Sequence, residues 1–178
     1  SSIVAILAYG HGVALELATQ KGLDPASFGR VHPAGSLGKN LLLTVQHCMI
    51  AGSVLPLVKK NDSFTTILSV ITRGCKGVAL VVDAQHKLLG LITDGDLRRA
   101  AEQGPTVFSK CAHDIMTARP QAIVATAKAQ HALEIMYKKR ITSLAVIDDD
   151  MTVYGLVHAH DIIAAGVTPR TAVKEEKL

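Results

Sequence analysis

Apolar residues fall into two alternating patterns along this chain. Residues 63–73 and 127–140 mix apolar and polar positions in the manner of a helix with one buried face. Val78-Ala79-Leu80-Val81-Val82 and Leu144-Ala145-Val146-Ile147 are instead short unbroken apolar runs of strand length. Each run leads through an Asp-containing turn to a second apolar stretch, at 88–92 or 153–157. A further helix then starts near Asp94 or Ala159. The order helix, strand, strand, helix therefore occurs twice, and the class is α/β (α+β).

The two blocks are copies of each other. Gly90-Leu91-Ile92-Thr93-Asp94-Gly95-Asp96 returns in outline 65 residues later as Gly155-Leu156-Val157-His158-Ala159-His160-Asp161. At the same spacing Leu68 meets Leu133, Asp83 meets Asp148 and Ala100 meets Ala165. A short lead-in precedes each block, Val45-Gln46-His47-Cys48-Met49 and Ala112-His113-Asp114-Ile115-Met116, with the two methionines 67 residues apart. One block alone has a strand face it cannot cover. Packing the two sheet against sheet covers both faces and leaves clefts between them.

Composition narrows the picture. At 178 residues, 48% hydrophobic and 19% charged, the chain has enough apolar material for one compact unit or two small ones. Aromatic residues are 3% and Trp is absent, so burial must come from Val, Ile, Leu and Ala. The net charge is +4. Its two basic clusters, Arg98-Arg99 and Lys138-Lys139-Arg140, sit near predicted helix ends, where they oppose the helix dipole rather than forming a nucleic-acid stripe. Cys48, Cys75 and Cys111 have neither paired nor metal-like spacing, as expected of reduced thiols in a cytoplasm. No apolar run approaches the roughly 20 residues that span a bilayer. The stretch 3–17 is broken by Gly10, His11, Gly12 and Glu16, so neither a signal peptide nor a membrane anchor is expected.

Candidate chemistry concentrates where the second strand of each block meets its helix. If Thr93 closes the strand and Asp94 opens the helix, Thr93 offers a hydroxyl and Asp96 a carboxylate beside free helix N–H groups. A carboxylate suits a ribose diol, and Thr with helix N–H groups suits phosphate, so a nucleotide would satisfy both. The same Thr-x-x-Asp spacing is also that of a capping box, in which the two side chains serve only the helix. One pair can do both. The second copy has His158 in place of Thr and keeps the carboxylate as Asp161. That His can donate to phosphate or stack on a base, with a pH dependence near neutrality. His158 and His160 form a His-x-His pair, but no third ligand lies nearby in sequence and no metal is expected.

A lead-in ending in Met, a helix, two strands and a Gly-h-h-Thr-x-x-Asp signature, all duplicated over residues 46–168, resemble a tandem cystathionine-β-synthase-type (CBS) pair, or Bateman module. The resemblance implies that the stretches before the first strand of each block line a ligand cleft. It thereby adds Lys76, Gly77 and Thr142 to the nucleotide-binding candidates Thr93, Asp96, His158 and Asp161. A lysine at a helix exit is otherwise ordinarily solvated.

Residues 1–45 lie outside the repeat. Residues 2–20 read as a helix with Gly22 near its end, followed by His32-Pro33-Ala34-Gly35-Ser36-Leu37-Gly38. Together with Thr93-Asp94-Gly95-Asp96-Leu97-Arg98-Arg99 and His158-Ala159-His160-Asp161, this resembles the arabinose-5-phosphate isomerase family. Ala34 replaces the family's common Gly, and His11 stands where the helix usually carries Asp. The resemblance implies several things. Residues 1–45 are the end of a sugar isomerase (SIS) domain, followed by CBS repeats at 46–106 and 107–170 and a tail at 171–178. His32 belongs to the active site, where an imidazole can serve the enediol chemistry that interconverts ribulose 5-phosphate and arabinose 5-phosphate on the way to 3-deoxy-octulosonate and lipopolysaccharide. The phosphate loop of a SIS domain does not precede Ser1 here, so the fragment is expected to be truncated and not catalytic by itself.

The expected function is regulatory. The CBS pair would sense an adenosine or cytidine nucleotide, a nucleotide-sugar or a phosphosugar, with no required cofactor, no nucleic-acid partner and a homo-oligomeric assembly through the repeats. The competing expectation is an oligomerisation module without ligand.

Overall fold

The computed structural model describes residues 42–168 and the isolated positions 9, 13, 16, 17, 20 and 21. Of the predicted N-terminal helix, residues 9, 13, 16, 17 and 20 are described and helical. His32, its loop and the tail 171–178 lie outside the described residues.

The strands form two four-stranded sheets. In the first repeat β2 (Leu57–Lys59) leads through α1 (Phe64–Gly74) to β3 (Val78–Val82), which lies parallel to β2. β4 (Leu88–Thr93) returns antiparallel to β3, and α2 (Asp94–Ala101) follows. The second repeat repeats this path as β6 (Ala122–Val124), α4 (Ala129–Lys139), β7 (Ser143–Ile147), β8 (Val153–His158) and α5 (Ala159–Ala164), with α3 (Ala112–Ile115) between the repeats. A helix must bridge each parallel pair, because parallel neighbours cannot be joined by a tight turn.

The apolar runs are unbroken because both faces of these strands are covered. Ala79 and Val81 of β3 pack with Ile67, Ile71 and Leu97 of their own repeat's helices. Leu144 and Val146 of β7 do the same with Leu133, Met136 and Ile162. The alternate positions, Val78 and Leu80 of β3 and Ala145 of β7, meet Leu88, Leu91 and Leu156 in a third cluster between the sheets. Burial of each large aliphatic side chain there is worth about 1.5–3 kcal/mol.

The lead-in segments cross over. β1 (Ile50–Ala51), which precedes the first repeat in sequence, pairs with β8 of the second. β5 (Thr117–Ala118), which precedes the second, pairs with β4 of the first. Val45 accordingly belongs to the second repeat's core, and Ala112 to the first's. The hairpin turns also meet. Leu88 N–H donates to the Met151 carbonyl, and Val153 N–H to that of His86, both at 2.9 Å. Each turn is shaped by its aspartate: Asp83 Oδ1 accepts from the backbone N–H groups of Gln85 and Lys87, and Asp148 Oδ1 from those of Asp150 and Thr152.

The crossover explains two features of the repeat at once. A Cβ on Gly90 would stand 2.5 Å from Met116 Sδ, and one on Gly155 would stand 2.7 Å from Met49 Sδ. Each lead-in methionine therefore lies on the signature glycine of the other repeat. At Gly155 the added carbon would also stand 2.8 Å from the Ile50 carbonyl oxygen, part of the backbone. Met116 can swing away, whereas the Ile50 oxygen moves only if β1 shifts from β8. Gly155→Ala should therefore cost about 1–3 kcal/mol, and Gly90→Ala less, in urea unfolding. Equal losses would show that β1 is not held as described.

Candidate functional site

Where β3 and β7 begin, their sheets diverge and leave a cleft of about 640 Å³. This falls within the range of small-molecule sites. Four segments line it: 76–78 and 140–143 at the two helix exits, 93–96 at the start of α2, and 117–121 following α3. Five of the candidates named from sequence come together here: Lys76, Gly77, Thr93, Asp96 and Thr142. His158 and Asp161 do not line this cleft; they stand at the equivalent place of the other repeat.

Thr93 is the N-cap of α2. Its Oγ1 accepts from Asp96 N–H at 3.2 Å, and Asp96 Oδ2 accepts from Thr93 N–H at 2.8 Å and from Thr93 Oγ1–H at 2.7 Å. The capping box anticipated from the spacing is thus formed. Asp96 Oδ1 accepts from Arg99 Nη2 at 2.5 Å. Asp96 is 9% exposed, whereas the Arg99 side chain is 69% exposed. The carboxylate is held in place by the backbone and neutralised by a cation free to swing away.

Lys76 departs from the solvated lysine expected at a helix exit. Its Nζ reaches across to the second repeat and donates to both oxygens of Asp161, at 2.6 and 2.8 Å, with the lysine side chain 24% exposed. The two related carboxylates are therefore neutralised differently. Asp96 is met by an arginine of its own helix, and Asp161 by a lysine of the other repeat.

His158 is the N-cap of α5, with Nδ1 accepting from His160 N–H at 3.1 Å. That bond requires an unprotonated Nδ1. Burial pushes the His158 imidazole below its usual value; Asp161 opposes this, and Lys76 and His160 reinforce it. The rings of His158 and His160 lie 6.1 Å apart. Among the described residues no group of three His, Cys, Asp or Glu side chains could hold a metal ion.

Sequence reasoning passed over three lining residues. Arg140 counts in the sequence as a helix-end charge, and Arg119, just past the second lead-in, and Ser143 carry no motif. Ser143 is 9% exposed, and its Oγ is fully buried with no hydrogen-bond partner among the described residues. At the equivalent position the first repeat carries Val78. This break in the repeat is the signal that could have identified Ser143, because a hydroxyl replaces a methyl group on a wall otherwise built of Val78, Leu91 and Ile141.

The sequence profile of the CBS domain family matches residues 51–103 and 112–168. The chain belongs to the CBS domain family. Its relatives include the arabinose 5-phosphate isomerase KdsD of Pseudomonas aeruginosa, 37% identical over 167 residues, or 94% of this chain and 51% of that protein. The Escherichia coli K12 protein of the same name is 36% identical over the same shares. The chain thus spans about half the length of the curated relatives it matches. Among solved structures, CBSX2 of Arabidopsis thaliana in complex with AMP superposes with a TM-score of 0.62 at 22% identity, over 68% of this chain and 94% of that one. The CBS pair of protein MJ0100, in complex with 5′-methylthioadenosine and S-adenosyl-L-methionine, gives 0.62 at 24% over the same shares. These two share the fold of this CBS pair. Among the described residues no helix is long and apolar enough to cross a membrane.

His158 carries a testable pH dependence. Its folded value lies below the unfolded one of about 6.5, so the unfolded chain binds the proton more tightly. Its contribution to stability is complete above that pH and is lost as pH falls through the depressed folded value. His158→Thr restores the residue of the first repeat, which caps without titrating. The variant should lose less melting temperature than the parent between pH 7.5 and 5.5; parallel losses would show that His158 does not titrate with folding.

Proposed function

We propose that this CBS pair is the ligand-sensing module of an arabinose-5-phosphate isomerase, and that its cleft takes a nucleotide or a nucleotide-sugar. The observation that carries this reading is a cleft of about 640 Å³ in which segments of both repeats bring Lys76, Gly77, Thr93, Asp96 and Thr142 together. Asp96 accepts the ribose hydroxyls when Arg99 swings aside, and the cations lining the cleft draw the phosphate end. The adenosine ligands named for CBSX2 and MJ0100 fit this reading because those proteins share the fold.

The isomerase assignment rests on identities of 36–37% across 94% of the chain. In the whole protein His32 would belong to the active site of the SIS domain, and the CBS pair would modulate that domain. The engagement of both Asp96 oxygens within the fold favours the other reading, a ligand-free module that assembles the enzyme.

Thermal shift of the full chain with AMP, ADP, ATP, CMP, CTP and arabinose 5-phosphate separates the two. A ligand present at a hundred times its dissociation constant adds about 2.7 kcal/mol. Asp96→Asn keeps an acceptor for the cap and removes the charge, and it should weaken the selected ligand about tenfold or more. A chain that shifts with none of these compounds is an assembly module, and Thr93 and Asp96 are then a helix cap.

A further inference from the structure

The second repeat places two arginines on the cleft in a conformation that disfavours them. Arg119 has φ +51° and Arg140 φ +54°, both in the left-handed region that residues other than Gly adopt rarely. The bend at Arg119 also exists in the first repeat, where Gly52 occupies the corresponding lead-in position with φ +72°. Arg140 closes α4, a position most often taken by Gly. At both places glycine would fit the backbone without strain, and the chain has arginine. The left-handed helix exit itself belongs to the repeat, since Cys75 has φ +51° at the position equivalent to Arg140; what differs is the side chain.

Four cations line the cleft, and they differ in what holds them. Lys76 is taken by Asp161 and Arg99 by Asp96. Among the described residues Arg119 and Arg140 make no ion pair, and both are exposed. They approach the cleft from different segments, the bend after β5 and the exit of α4. Asp94 also lines the cleft, beside Gly77, where a Cβ on Gly77 would stand 2.7 Å from its Oδ2.

We propose that Arg119 and Arg140 form the anion subsite of this cleft and take the phosphate end of a ligand carrying at least two phosphate groups. The inference rests on the nucleotide reading above and adds to it which residues meet the phosphate end of the ligand. Guanidinium groups suit this role because their paired N–H donors match phosphate oxygens. Arg119 follows β5 on the sheet of the first repeat and Arg140 closes a helix of the second, so a phosphate held by both joins the two.

The test uses glycine, which removes the charge while keeping the backbone. Arg119→Gly, Arg140→Gly and the double variant, in the full chain, are titrated calorimetrically with adenosine, AMP and ADP and with cytidine, CMP and CDP. The apo melting temperatures should stay level or rise. In the parent chain one of the two series should bind more tightly with each added phosphate. Each single variant should weaken its diphosphate about tenfold while leaving the nucleoside unchanged, and the double variant should abolish the gain from phosphate. A double variant that keeps this gain, or a parent chain that binds nucleoside and diphosphate equally, overturns the subsite. Asp96→Ala separates the two layers. If it leaves affinity intact while the arginine variants lose it, the ribose reading fails and the subsite stands. If the parent chain binds none of the six compounds, both fall.

Discussion

Everything in this structure depends on strands that are apolar on both faces. The helices of one repeat cover one face of β3 and β4 and leave Val78, Leu80, Leu88 and Leu91 bare. A single repeat would expose these side chains to water, so the second repeat is a requirement of the first. The crossing of β1 and β5 strengthens the dependence. Each repeat borrows a strand and a methionine from the sequence that precedes the other, and the hairpin turns hydrogen-bond to one another. With so many links, the pair is expected to unfold as one cooperative unit rather than as two domains.

The same geometry makes the site. Two twisted sheets packed face to face separate towards their ends, and there the helix exits and the start of α2 face each other across a gap. Duplication supplies two such places. Sequence divergence has made them unlike. Around Asp96 the cleft is open and rimmed by arginines, and Asp161 is instead clasped by Lys76 from the other repeat. Lys76 both lines the first cleft and, through its Nζ, neutralises the carboxylate of the second place. One side chain thus touches both places.

The long elements were legible because their signals are strong. The run at 78–82 is β3 itself, and the helices expected at 63–73 and 127–140 are observed at Phe64–Gly74 and Ala129–Lys139. The two- and three-residue strands β1, β2, β5 and β6 went unread, since so short a segment shows no period. The crossover was hidden for another reason. Met49 and Met116, and Gly90 and Gly155, were each visible as repeated residues, but nothing along a chain says that the methionine of one copy lies on the glycine of the other. Thr93 and Asp96 could be found as a motif. Ser143, Arg119 and Arg140 could not, because their meaning comes from burial without a partner and from backbone angles.

The central claim is that ligand binds between the repeats, and the most direct test is a backbone amide NMR titration of the full chain with ADP and with CDP. The expected result for the nucleotide that binds is a set of shifts at 76–78, 93–96, 117–121 and 140–143, with the outer face of α4 around Tyr137 undisturbed. Shifts confined to Tyr137 and Ile163, or none with either nucleotide, would contradict the account.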